Sequence, residues 1–186
     1  MSLEWMLIRG SGFVALALLG GSVVWGLLLS LKMLPRSAKA LTSVHEALSV
    51  GALLATVVHL VALWTHDYLE FTVAELLVPG LSDWRPVAVA WGVVAFYGMV
   101  LVTVSFYLRS GIGQRYWRLL HFASFGVFAG SVAHGLLAGT DSAHPVVVGG
   151  YVVLVASVLG LVAVRLASVV GRSGAPATDR GAGRPS

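Results

Sequence analysis

Five apolar stretches, at residues 13–31, 41–64, 87–108, 117–138 and 146–166, alternate with short polar connections. A helix rising ~1.5 Å per residue crosses the ~30 Å hydrocarbon layer of a bilayer in about 20 residues, so each stretch is long enough to span. The two-residue alternation of a membrane barrel is missing, and in lipid every backbone amide must be satisfied within its own segment. The pattern therefore predicts an all-α fold, a polytopic membrane bundle of five transmembrane helices over residues 1–170. The first stretch exceeds the core of a secretory signal and has no small-residue cleavage site behind it, so it reads as an uncleaved span. From Gly171 on, GRSGAPATDRGAGRPS is small and polar and cannot bury enough apolar surface to fold, which predicts a disordered cytoplasmic tail over 171–186.

Composition sharpens this picture. The 186 residues are 58% hydrophobic and 11% charged, far from the balance of a soluble domain. The net charge of +4 reports topology, and no nucleic-acid partner is expected. Lys32, Arg36 and Lys39 fill the first connection, Arg109, Arg115 and Arg118 flank the third, and Arg172, Arg180 and Arg184 follow the last span. The second connection carries Asp67, Glu70, Glu75 and Asp83 against Arg85, and the fourth carries Asp141. The positive-inside rule then places the N-terminus outside and the C-terminus in the cytoplasm. The stretch 68–79 is amphipathic and ends in Pro-Gly, as expected of either a short interfacial helix or a plain loop. With no cysteine, thiolate-held heme, iron-sulfur clusters and disulfides are excluded, and histidine carries any metal chemistry.

Four histidines lie deep in the apolar text as two pairs: His45 and His59, fourteen residues apart, and His121 and His134, thirteen apart. Polar rings at membrane depth need strong partners. Each pair spreads its imidazoles ~20 Å along a helix, and two such helices side by side would hold two hemes, one above the other. By depth, His45 pairs with His121 as an inner iron site, and His59 with His134 as an outer one. Iron held by two imidazoles is coordinatively saturated and favours electron transfer over oxygen binding. Fourteen residues fall about 40° short of four full turns, so His45 and His59 share a face; thirteen fall about 140° short. His121 and His134 therefore need some overwinding, a kink at Gly126 or Gly130, or an altered angle of approach.

The segment IRGSG at 8–12, the spacing of His45 and His59, and the block RYWRLLHFASFGVFAGSVAHGLLAGTDS at 115–142 resemble the ferric reductase-like transmembrane domain family. That family is related to the membrane part of NADPH oxidases and ferric reductases and to the heme subunit of periplasmic methionine sulfoxide reductase. The resemblance extends to about residue 166. It implies two b-type hemes, a transmembrane electron path and a multi-pass protein of the plasma membrane, the bacterial inner membrane. Unlike the oxidases, the chain carries no flavin or nicotinamide domain after its fifth span, so the resemblance implies an oxidoreductase subunit fed by a cytoplasmic flavoprotein or other electron donor. On the outward side the acceptors it allows are a ferric chelate, oxygen, a quinone or a partner protein.

Other residues have competing uses. Arg9 can reach a propionate of the outer heme, and Arg115 and Arg118 one of the inner heme; each can equally snorkel to lipid headgroups. His66 and His144, near Asp67 and Asp141, can form an outward acceptor or metal site or simply be solvated. Trp64, Trp84, Trp91 and Trp117 fall at expected interfaces, where indoles anchor helices. Glycines 20, 21, 26, 51, 126, 130 and 135 permit close packing of helices or of a porphyrin face. Two other classes compete with the heme conduit. One is a histidine-based proton or metal transporter without heme, and the other is a structural or assembly subunit whose histidines only hold the bundle together.

Overall fold

The computed structural model describes residues 3–34, 38–66 and 70–173. Arg36, Asp67, Arg180 and Arg184, and nearly all of the expected tail, lie outside them. The described chain is helical throughout: α1 (Leu3–Ser30), α2 (Ala38–Trp64), α3 (Val73–Leu77), α4 (Pro86–Tyr107), α5 (Arg109–Ile112), α6 (Gln114–Ala138) and α7 (Pro145–Ser173). Among the described residues five helices, α1, α2, α4, α6 and α7, are long and apolar enough to cross a membrane, the plan of a multi-pass membrane protein.

The largest differences from the apolar runs are extensions at the start of α1 and the end of α7. Helix α1 begins at Leu3 and carries Glu4 and Arg9, and α7 runs on to Ser173 past its last long apolar run. Helical hydrogen bonding need not stop where the hydrocarbon does, because a helix keeps its amides satisfied while it passes into the polar interface. The amphipathic second connection forms one short turn of helix, α3, closed by a capping box in which Thr72 and Glu75 exchange side-chain bonds to each other's backbone. Pro86 at the first turn starts α4 after Arg85 adopts a left-handed conformation, φ 45°.

The bundle is organised as two antiparallel pairs, α1 against α2 and α4 against α6, with α7 lying chiefly along α1. Helices α2 and α6 have next to no direct backbone contact. The gap between them is what the histidines face. We call the end where α1 begins the upper end. There Phe71, Leu76, Val89 and Val93 form a small buried cluster. A second cluster, Leu19, Val23, Leu27, Ala52, Met99, Val127, Phe128 and Val158, fills the middle of the bundle. Ala52 lies midway in sequence between His45 and His59, and Val127 and Phe128 midway between His121 and His134, so this apolar plug separates two histidine levels. Most other large apolar side chains are exposed on the outside of the bundle, as a lipid-facing surface requires.

Candidate functional site: two facing histidine pairs

The rings of His59 and His134 face each other across the upper gap with centroids 6.4 Å apart and planes at 81°. Those of His45 and His121 face each other at the lower level, 5.9 Å apart and at 69°. These are the two pairs expected from depth along the chain. A metal–imidazole bond of about 2 Å on each side, plus the distance from each ring's nitrogen to its centre, puts the centroids of two rings on one ion roughly 6 Å apart. Both pairs have that spacing. No break interrupts α6 between His121 and His134, and both rings nonetheless reach their partners across the gap. Gly126 has open space around it and Gly130 packs on Trp91 and Ala95; neither marks an interruption of the helix.

Main-chain carbonyls orient three of the four rings. His59 Nδ1 is 2.8 Å from the Ile8 carbonyl, His134 Nδ1 2.8 Å from the Ala88 carbonyl, and His45 Nδ1 3.0 Å from the Ser22 carbonyl. A carbonyl only accepts, so each Nδ1 must carry the proton and donate it. In the neutral ring Nε2 then holds the lone pair, the form in which imidazole binds a metal. Ser11 and Ser22 place their hydroxyls 3.5 Å and 3.2 Å from His59 Nδ1 and His45 Nδ1, and Ser22 also bonds Ser49 at 2.7 Å.

Glycines lie close against three of the rings, and a void opens beside the upper pair. Gly12, Gly26 and Gly92 lie directly against His59, His45 and His134: a Cβ at these positions would stand 3.3, 3.1 and 2.6 Å from the nearest ring atom. At the upper level a void of about 1390 Å³, its open side included, is lined by His59 and His134 and by Arg9, Phe71, Trp84 and Tyr151 among others. Among the described residues no group of three or more His, Cys, Asp or Glu side chains could hold a metal ion. Two imidazoles fill only part of the coordination shell of most metal ions. They suit a metal that brings its other donors with it, as the iron of a heme does with four porphyrin nitrogens.

The remaining expected residues fall as follows. Arg9 lines the upper void and forms an ion pair with Asp141, both partly exposed. Arg115 and Arg118 are exposed near the start of α6, and among the described residues neither has an ion pair. His66 is 8% exposed, with its ring 5.7 Å from that of Trp5, so it is a buried packing residue and not a solvated loop histidine. His144 is exposed, and its Nδ1 accepts from the Val146 amide at 3.3 Å, covering the first turn of α7. Trp64 is exposed as an interface anchor would be, but Trp117 stacks on His121 with centroids 5.2 Å apart, and its indole Nε1 is buried without a partner. Glu75 is partly exposed, and the Thr72 side chain and backbone hold its carboxyl below the ordinary carboxylate range.

The carbonyl partners are absent from the sequence-based reading, and of their glycines it singles out Gly26 alone, as a site of close packing and not as a neighbour of His45. A signal was present: Gly12 and Gly26 are fourteen residues apart, the spacing of His59 and His45. The fold and site define a five-helix membrane bundle with two stacked pairs of facing histidines. No protein-family model matches this chain, and no curated protein or solved structure matches it either.

Proposed function

We propose that this protein is a transmembrane di-heme cytochrome b that carries electrons from a cytoplasmic-side donor to an outward-side acceptor, as its resemblance to ferric reductase-like domains implies. One observation carries the reading: two histidine pairs face each other at the spacing of axial ligands on one iron, across helices that otherwise leave a gap. His45 and His121 would hold the lower, cytoplasmic heme, and His59 and His134 the upper, outward one. Heme iron with two axial imidazoles supplies reversible one-electron oxidation and reduction. The chain supplies position: carbonyls that fix the tautomer, a void that admits a planar group, and an apolar plug that keeps water out between the levels.

The orientation rests on the charge pattern. Lys32, Arg109, Arg115 and Arg118 gather toward the lower end, and Glu70, Glu75, Asp83 and Asp141 toward the upper end. Arg9, which lines the upper void, can turn from Asp141 to a heme propionate, and Arg115 and Arg118 can serve the lower heme. A flavoprotein is the fitting donor. The fitting acceptors are a ferric chelate, oxygen, a quinone or a redox protein, in the plasma membrane of a bacterium. A dithionite-reduced minus oxidised spectrum with pyridine hemochrome quantitation tests the proposal. Two low-spin b hemes per chain are expected, and alanine at either member of a pair should abolish the low-spin signature of one. A chain that stays free of heme when heme is plentiful would leave a histidine-based transporter as the better description.

A further inference from the structure

Three of the four imidazoles rest on the same local device. The carbonyl of residue i on a neighbouring helix accepts from Nδ1, and residue i+4 of that helix is a glycine: Ile8 with Gly12 under His59, Ser22 with Gly26 under His45, Ala88 with Gly92 under His134. A helical side chain tilts toward the N-terminus and lies over the turn before its own Cα, so a Cβ at i+4 would shield the carbonyl at i. Glycine uncovers the carbonyl's second lone pair and lets the ring lie on the helix backbone. On α1 these two seats are fourteen residues apart, the spacing of His45 and His59, and the antiparallel register of α1 on α2 brings each ring to its own seat.

Helix α4 carries one seat only. Counting thirteen residues on from Ala88 and Gly92, to match His121, gives Leu101 and Ser105. Ser105 is buried, and its hydroxyl bonds the Val102 carbonyl at 2.8 Å. Among the described residues His121 has no hydrogen-bond partner, and its ring lies on Trp117.

We infer that Gly12, Gly26 and Gly92 are positioning residues for three axial histidines, and that His121, which lacks a seat, is the exchangeable ligand through which the lower heme binds a small neutral molecule. The inference rests on the heme reading above. Hydrogen-bond partners that orient a ligating imidazole and raise its basicity are worth about 10–100-fold in metal affinity, so the unseated His121 is the ligand that dissociates first. On leaving, His121 would keep its Nε2 lone pair and a neutral two-electron donor would supply its own to ferrous iron, so no electron or proton would change hands.

The test uses the full chain purified with its heme. A pyridine hemochrome assay counts hemes first: fewer than two per chain contradicts the two-heme reading itself, whereas two leave it standing and put only the inference at stake. Redox titrations of Gly12→Ala, Gly92→Ala and Gly26→Ala then label the two transitions. The first two variants should move one midpoint upward, because a ring pushed off its carbonyl is a weaker donor to ferric iron, and the third should move the other. Carbon monoxide added to the dithionite-reduced wild-type protein should convert one heme, the one whose midpoint Gly26→Ala moves. Conversion of neither heme, of both, or of the one labelled by Gly12→Ala overturns the inference, as does the absence of any midpoint shift. Gly92→Ala is the harshest change, and Gly12→Ala keeps the upper label if that variant fails to assemble.

Discussion

On the α1 and α2 side of the bundle, histidines and seats repeat at the same interval of fourteen residues, and both rings find a carbonyl beside a glycine. On the α4 and α6 side the histidines repeat at thirteen, and only His134 finds one. Fourteen residues bring a helix back to within about 40° of its starting face, so two antiparallel helices with that repeat stay in phase over both levels. Thirteen turn it by about 140° from that face, and among the described residues α4 offers a carbonyl beside a glycine to His134 only. The contrast shows that placing four ligands and placing their outer partners are separate demands on a sequence: the first needs correct depth, and the second needs matched repeats in two helices.

Substitutions at the histidines should have the largest effect. His134→Leu should strip the upper heme from the purified protein, whereas His121→Leu should leave a fraction of the lower heme on His45 in a high-spin form. Hemochrome yield and visible spectra of the two variants measure this, and equal loss in both would erase the distinction between seated and unseated rings. Ring orientation gives a second readout. Planes crossed at 81° and 69° predict strongly anisotropic low-spin EPR signals for both hemes, the lower one broader because His121 is not fixed. A rhombic signal of parallel ligand planes would contradict the crossed geometry.

The alanine variants at the seats should lose thermal stability in the order of the Cβ contacts, Gly92→Ala, then Gly26→Ala, then Gly12→Ala, for contacts of 2.6, 3.1 and 3.3 Å. The first forces overpacking and breaks a buried hydrogen bond, a cost of about 1–3 kcal/mol. Detergent melting curves check the order, and an inverted series would mean that the rings are not held by these glycines. Asp141→Asn should cost less, up to about 1 kcal/mol for a partly exposed ion pair, with most of the difference lost at high salt. The smallest effect belongs to Glu75. Its carboxyl titrates below the ordinary range because Thr72 bonds it, so the capping interaction is fully present above the ordinary glutamate value and disappears as pH falls through the lowered one. Amide exchange across residues 73–77 should accelerate in that acidic window, and Glu75→Gln should flatten the dependence.

Depth and periodicity made much of the site legible. The five spans, the level of each histidine and the partner it meets all follow from counting residues along straight helices of known rise. Trp117 shows where counting stops: an indole near the start of a span reads as an interface anchor, yet here it stacks on His121 with a buried nitrogen. His66 was hidden for the same reason, since this ring next to a polar connection is buried and packs against Trp5 of another helix. The ion pair of Arg9 with Asp141 joins residues far apart in the chain, and no local pattern announces it.

By itself the sequence determined that this is an all-helical, five-span membrane protein with imidazoles at two depths, because burial in lipid constrains each segment independently of its neighbours. Only the tertiary structure decided which carbonyl each ring would meet, that α2 and α6 would stand apart, and that His121 alone would go without a seat. Those outcomes depend on the register and separation of helices packed side by side, a relation between segments that neither of them encodes alone.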